Sequence, residues 1–155
     1  MPSTQEQTTR QYELEIEIEA PRERAWQALL QEIDAWWPDD FRMLGEGARV
    51  ELDVSPGGRG MLETADGGSS LHWYAVQCVM PDKFTLYMVG NIAPDFGGPS
   101  TSNMKIALEP SDVGCVLKLS DAHHGRVNED FLLSLKSGWK QVFGDGFKAF
   151  AEQAS

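Results

Sequence analysis

One long apolar stripe near the end of the chain constrains the fold more than any other feature. Between Val127 and Gln153, large apolar side chains recur at steps of three and four residues: Phe131, Leu132, Leu135, Trp139, Val142, Phe143, Phe147 and Phe150. This spacing puts side chains on one face of an α-helix, which at 1.5 Å per residue would be about 40 Å long. Such a helix needs an equally long apolar surface, and we expect a sheet wrapped around it.

The chain before this helix carries mainly strand patterns. From Tyr12 to Glu19 apolar residues alternate with glutamates, which predicts a half-buried strand. Pro21 opens a helix over Arg22 to Leu30, and a second short helix ends before Pro38. Six further strands are predicted at Ala48–Val54, Arg59–Thr64, Leu71–Met80, Phe84–Val89, Thr101–Leu108 and Val113–Asp121. Their short connections favour an antiparallel meander, so the predicted class is α+β: a seven-stranded curved antiparallel sheet around a long C-terminal helix.

Composition excludes several classes of function. The 155 residues are 41% hydrophobic and 24% charged, which fits one globular domain; we place it at residues 12–154, after a disordered polar tail at residues 1–11. The net charge is −11 with no basic run, which argues against nucleic acid or an anionic membrane surface as a partner. Cys78 and Cys115 lie in strand patterns, so we expect buried free thiols and a cytoplasmic location.

Several short segments resemble one family in their order and spacing. They are Ala20-Pro21 with Trp26 and Leu29, Trp36-Trp37-Pro38, Gly57-Gly58-Arg59-Gly60, the run from Val79 to Phe84, the run from Met104 to Pro110, Gly114 and Gly138-Trp139. From Tyr12 onward the chain resembles the helix-grip superfamily of START domains, polyketide cyclases and birch-pollen allergens. It is most similar to the branch named after the activator of the ninety-kilodalton heat-shock protein's ATPase.

The resemblance implies an apolar cavity between the sheet and the last helix, but it does not imply one chemistry. Members bind lipids, hormones or polyketides, some catalyse cyclisation and some are co-chaperone modules. The chain departs from the family at Val142–Phe147, where Gly144 and Gly146 replace part of a leucine pattern. Two glycines inside a helix cost roughly 1 kcal/mol each relative to alanine. These glycines either loosen or kink the helix or let a strand approach it closely, and we favour the packing explanation.

Alternation identifies the face of each strand that meets the helix. With Lys118 and Lys105 outward, Asp121 and His123 point inward on the last strand, as does Met104 on the strand before it. For Leu71–Met80 alternation leaves both faces open, and the resemblance implies that His72, Tyr74, Val76 and Cys78 point inward. The predicted ligand-contacting residues are His72, Tyr74, Val76, Met88, Met104, Leu117, Asp121, His123, Phe131, Leu135, Trp139 and Phe143. A plain packed core would show the same pattern, so both interpretations stay open.

The evidence for catalysis in the sequence is limited. His72, His123 or Asp121 is a candidate for acid–base chemistry, although a lone histidine in a strand is more often structural. No nucleophile or phosphate-binding motif occurs, and His123 and His124 face opposite ways on a strand, so no metal or cofactor is expected. Trp36 and Trp37 are expected to pack rather than to form a contact surface.

Three functions remain at this stage. The first is a cytosolic module that binds an apolar small molecule, with the Asn91–Ser100 loop as a lid. The second is a cyclase or hydrolase that uses His72, Tyr74 or Asp121. The third is a protein-interaction module with a chaperone as partner, and self-association is compatible with all three. We expect the first.

Overall fold

The protein folds as a curved sheet with its C-terminal helix on the inner face. The computed structural model describes residues 8–153. Its seven strands form one antiparallel sheet in the order β1-β7-β6-β5-β4-β3-β2. The strands are β1 (Thr8–Ile18), β2 (Arg49–Asp53), β3 (Gly60–Thr64), β4 (Ser70–Met80), β5 (Thr85–Ile92), β6 (Ser100–Ser111) and β7 (Gly114–Gly125).

The helices occupy the predicted positions. They are α1 (Arg22–Gln31), α2 (Ile33–Trp36), α3 (Glu129–Gln141), a π-helical segment (Val142–Phe147) and α4 (Lys148–Gln153), with short 3-10 turns at Asp39–Phe41, Pro81–Lys83 and Pro94–Phe96. The last three helical segments form one continuous C-terminal helix. The predicted α+β class, with a seven-stranded sheet, two short helices after the first strand and a long final helix, is confirmed. Within residues 8–153, none of the helices has the length and apolar character that a membrane crossing requires.

Strand β1 is longer than its alternating pattern predicts. It begins at Thr8 rather than Tyr12, so residues 8–11 of the predicted tail belong to the sheet, whereas residues 1–7 lie outside the described part of the chain. Its N-terminal part is fixed by Arg10, whose guanidinium donates to the carbonyl of Val127 at 3.0 Å. Arg10 therefore holds this polar end of β1 against the segment that leads into α3.

The C-terminal half of the long helix is fixed by aromatic packing. Trp36 of α2 lies 5.7 Å from Phe143 and 5.0 Å from Phe147 between ring centroids, and both phenylalanines are fully buried. Trp36 and Trp37 are themselves buried, as expected for packing residues. At the far end, Lys148 of α4 donates to the backbone carbonyl of Glu17 in β1, and Glu152 accepts from the backbone N–H of Glu19, just after this strand. The helix is thus anchored from Trp139 onward.

Gly146 accounts for part of the glycine pair in this helix. A Cβ there would lie 2.7 Å from the backbone oxygen of Trp36, so only glycine lets the helix approach α2 this closely. Gly144 has no atom within 4 Å of the equivalent position. The packing interpretation therefore holds for Gly146, although the element that approaches this glycine is helix α2 and not a strand.

Strand β4 contains two irregularities that alternation did not predict. Its register with β3 shifts between His72 and Tyr74, and its register with β5 shifts between Val76 and Cys78. Each shift adds one residue and reverses the faces of the residues that follow. The inward placement expected for Cys78 is therefore wrong, because its side chain is exposed; Cys115 is buried, and both thiols are free.

Candidate functional site

A buried polar network crosses the inner face of the sheet. Its centre is the carboxylate of Asp121 on β7, which accepts a hydrogen bond from the Tyr12 phenol at 2.6 Å and from the Ser102 hydroxyl at 2.7 Å. Nε2 of His123 lies 2.8 Å from the same carboxylate, and the Tyr74 phenol lies 2.9 Å from Ser102 Oγ. All five side chains are buried, and Asp121 has no exposed surface.

Strand register brings these residues together. Tyr12 on β1 pairs with Asp121 on β7, and His123 on β7 pairs with Ser102 on β6. Residues at alternate positions share a face, so all of them point toward α3. Tyr74 joins them from β4, where the first register shift turns both its own side chain and that of Trp73 toward the core.

The direction of each hydrogen bond follows from the donors and acceptors present. Asp121 accepts from two hydroxyl groups, and we assign it as an ionised carboxylate, which can only accept. His123 then presents an Nε2–H to it. The Ser102 hydrogen is used toward Asp121, so Tyr74 donates to Ser102. In a neutral His123 the remaining nitrogen, Nδ1, is then an acceptor, and among residues 8–153 it has no partner.

Both tyrosines are held in their protonated form. Burial raises the pKa of Tyr12 and that of Tyr74 far above the ordinary value of a phenol, and the negative charge of Asp121 raises each pKa further. Each phenol therefore remains a hydrogen-bond donor at neutral pH.

A second unpartnered polar atom lies beside the network. Ser100 is buried on β6 with its side chain on the same face as Ser102, and its hydroxyl has no partner in residues 8–153. Ser100 pairs with Gly125, and Ser102 pairs with His123 two positions further along β6, on the same face of the sheet. Ser100 and His123 are thus diagonal neighbours, a relationship with Cβ atoms about 7–8 Å apart or less.

Helix α3, the first half of the C-terminal helix, lies over this row of residues. It begins beside Arg10 on β1, which binds Glu129, and ends where Trp139 packs on Tyr74 of β4 at 6.1 Å. Of its 13 residues only Trp139 is fully buried. Leu132 and Leu135, which pack against the core, and Phe131, which lies beside Gly97, are only partly buried. This half of the helix therefore keeps several apolar side chains partly accessible to solvent.

The predicted site residues fall into three groups. Tyr74, Asp121 and His123 belong to the network, and Phe131, Leu135 and Trp139 lie on the helix above it. Val76, Met88, Met104, Leu117 and Phe143 belong to the surrounding apolar core. The inward position expected for His72 is wrong: its side chain is exposed, because the register shift at Trp73 gives the inner face to Trp73 and Tyr74 instead.

Sequence reasoning missed three members of the site, namely Tyr12, Ser100 and Ser102. Tyr12 was assigned to the inner face of β1, but only as a core residue. Ser100 and Ser102 share the phase of Met104 and Ile106 along β6. Extending the alternation to the start of that strand would have found both serines.

Other parts of the described chain are weaker candidates for a functional site. An open groove of about 610 Å³ lies between α1, α2 and β2, but its carboxylates at Glu32, Asp34 and Glu51 are already paired with arginines. Across residues 8–153, no three His, Cys, Asp or Glu side chains are arranged to hold a metal ion.

The sheet, the long helix across it and the polar network between them define a helix-grip protein. The sequence model described as "Activator of Hsp90 ATPase homolog 1-like protein" matches residues 19–152, and the chain belongs to this family. A comparison with curated protein sequences gives no significant match.

Solved structures agree with this assignment. A protein from Mesorhizobium loti is 25% identical with a TM-score of 0.64, over 94% of this chain and 99% of the other. The AHSA1-like protein from Aeromonas hydrophila is 17% identical with a TM-score of 0.63, over 94% of each chain. Ara h 8.0201 is 15% identical with a TM-score of 0.68, over 93% of this chain and 98% of the other. The 17% and 15% matches are evidence for the fold alone.

Proposed function

We propose that this protein binds a small, largely apolar molecule between α3 and the sheet, with a hydrogen-bond donor of the ligand directed at His123. The observation that carries the proposal is Nδ1 of His123, a buried acceptor without a partner at the end of a network whose other members are paired. A buried polar atom left unpaired costs about 1–3 kcal/mol. A ligand donor at this position would recover that energy.

The covering helix supports the apolar part of the proposal. Phe131 and Leu135 are only partly buried, and next to them Leu133 is 57% exposed. In the adjacent turn Phe96 is 60% exposed, and a Cβ at Gly97 would lie 3.1 Å from the Phe131 ring. Small-molecule sites are lined mainly by large apolar and aromatic side chains. Membership of a helix-grip family is consistent with such a role.

Native mass spectrometry provides the first test. Protein purified gently from its native host is weighed intact and then again after denaturation. We expect a reproducible excess mass that is lost on denaturation, and the released compound would identify the ligand class. A protein that is empty in this experiment and is also not stabilised by the probes described next would contradict the proposal.

A set of matched probes tests the polar contact. Naphthalene, 2-methoxynaphthalene and 2-naphthol have similar apolar bodies, but only 2-naphthol carries a donor. We expect 2-naphthol to raise the melting temperature most, because ligand binding to the folded state stabilises it. His123→Gln should remove the advantage of 2-naphthol, whereas His72→Gln, which changes an exposed histidine, should not. Equal stabilisation by all three probes would contradict the role of His123.

A further inference from the structure

We infer that His123 is a general base, and that the site takes substrates with a weakly acidic C–H bond next to a carbonyl or similar group. This inference rests on the proposed ligand site and goes beyond it, since binding alone does not require proton transfer. It is argued from the geometry of His123, Asp121 and Ser100.

Asp121 holds the imidazole in the orientation that a base requires. Its carboxylate accepts Nε2–H at 2.8 Å, which fixes the tautomer and leaves the lone pair on Nδ1. Tyr12 fixes the other side of this arrangement, because its phenol binds the carboxylate and its ring stacks on the imidazole at 6.4 Å. A base oriented by a third group in this way is the common arrangement in nucleophile and proton-transfer sites.

The same carboxylate stabilises the product of proton transfer. When Nδ1 accepts a proton, the imidazolium lies against an ionised carboxylate in a region without solvent, where their attraction is stronger than in water. Tyr12 and Ser102 continue to donate to Asp121, so no group in the network has to rearrange. The site is therefore prepared for a positive charge on His123.

Ser100 provides the complementary donor. Its buried hydroxyl has no partner and lies diagonal to His123 on the same face. In the step we infer, the proton on the substrate carbon moves to Nδ1 and the C–H bonding pair forms a carbon–carbon double bond. The carbonyl π pair moves to oxygen, and Ser100 donates a hydrogen bond to that oxygen. Return of the proton from His123 to the same carbon re-forms the C–H bond and the carbonyl, with either configuration at that carbon and no net change in oxidation state.

Few other ionisable groups face His123. On β7 this is Asp121, and on β4 it is Tyr74, reached through Ser102. On β1 these are Tyr12 and Arg10, the residue paired directly with His123, whose guanidinium binds the carbonyl of Val127. From the start of α3, Glu129 lies nearby but is paired with Arg10 at 3.1 Å.

The probe reaction is the ring opening of 5-nitrobenzisoxazole. A base removes the proton from C3, the C–H electrons form the nitrile as the N–O bond breaks, and a coloured 2-cyano-4-nitrophenolate is released. We expect saturable release by the wild-type protein, and a rate roughly 100-fold lower in His123→Gln. His72→Gln should match the wild type, and Ser100→Ala should lower kcat by a smaller factor than His123→Gln.

The outcomes separate this inference from ligand binding. If the probe stabilises the protein but His123→Gln opens the ring as fast as the wild type, His123 is not the base and the binding proposal stands. If no probe binds, both are wrong. Should His123→Gln fold poorly, the wild type and Ser100→Ala decide: competitive inhibition of ring opening by 2-naphthol and a lower kcat in Ser100→Ala support the inference, and the absence of either overturns it.

Discussion

The ring of Tyr74 lies across Gly90. A Cβ at position 90 would be 2.8 Å from one ring carbon of Tyr74 and 2.6 Å from the backbone oxygen of Trp73. Gly90 on β5 pairs with Ser102 on β6, so the absence of a side chain lets Tyr74 cross β5 and reach the Ser102 hydroxyl. The absence of a side chain at Gly90 thus allows Tyr74 of β4 to join the network centred on Asp121 of β7.

Gly90→Ala tests this relationship. The added methyl group meets backbone as well as the ring, so the structure must shift, and we expect a loss of about 1–3 kcal/mol in the free energy of unfolding. Urea denaturation measures it, and ligand binding should weaken in parallel. Unchanged stability would show that Tyr74 does not lie across this residue.

Tyr12 makes stability depend on alkaline pH. Because the folded state raises the pKa of its phenol, the unfolded chain loses this proton first, near the ordinary value of about 10. The contribution of Tyr12 is therefore complete below about pH 10 and declines above it, by up to about 1.4 kcal/mol per pH unit. Tyr12→Phe should lose stability less steeply than the wild type above that pH in urea denaturation. Parallel pH dependences would contradict the raised pKa.

Glu63 holds the bulged residue Trp73 in place. Its fully buried carboxylate accepts from Trp73 Nε1 at 3.0 Å and from the backbone N–H groups of Met43 and Leu44. Glu63→Gln replaces one acceptor oxygen by a donor that faces an N–H group, and we expect a loss of about 1–3 kcal/mol in unfolding free energy. Glu51→Gln, at a more exposed glutamate paired with Arg59, is the matched control and should change stability by less than about 1 kcal/mol. Equal effects of the two variants would be inconsistent with this role.

The two glycines of the last helix should respond in opposite ways to alanine. Gly146→Ala places a methyl group 2.7 Å from the Trp36 backbone oxygen and should destabilise the protein by about 1–3 kcal/mol. Gly144→Ala meets no atom within 4 Å and should stabilise it by up to about 1 kcal/mol, because alanine favours helix. Thermal melting of the two single variants distinguishes them, and a shift of the same sign in both would refute the assignment.

The fold could be predicted from the sequence because its elements have regular periods. Strand β7 runs without a register shift, so alternation placed Asp121 and His123 correctly on the inner face. Alternation could not predict the faces of strand β4, because it contains two register shifts. The first of them accompanies the packing of Trp73 between Trp37 and Trp139, which are distant in sequence. No local pattern encodes that choice, and it moved His72 to the surface.

Only part of the candidate site could be predicted from the sequence, for a related reason. Asp121 and His123 can be recognised in the sequence as inward-facing ionisable residues. Tyr12 and Ser102 become site residues only because strand pairing brings them to the Asp121 carboxylate, and Ser100 lies next to them on the same face. The expectations of a cytoplasmic location, of a chaperone as partner and of self-association stay predictions.

Nitrogen NMR of the imidazole rings tests the central claim most directly. The chain has three histidines, so the ¹⁵N-histidine spectrum is simple, and His123→Gln and His72→Gln assign it. In the free protein we predict a proton on Nε2 of His123 and an unprotonated Nδ1 without a hydrogen bond. Addition of 2-naphthol should move the Nδ1 resonance toward the hydrogen-bonded range and leave His72 unchanged. A protonated Nδ1 in the free protein, or an Nδ1 resonance that does not respond to 2-naphthol, would contradict the account.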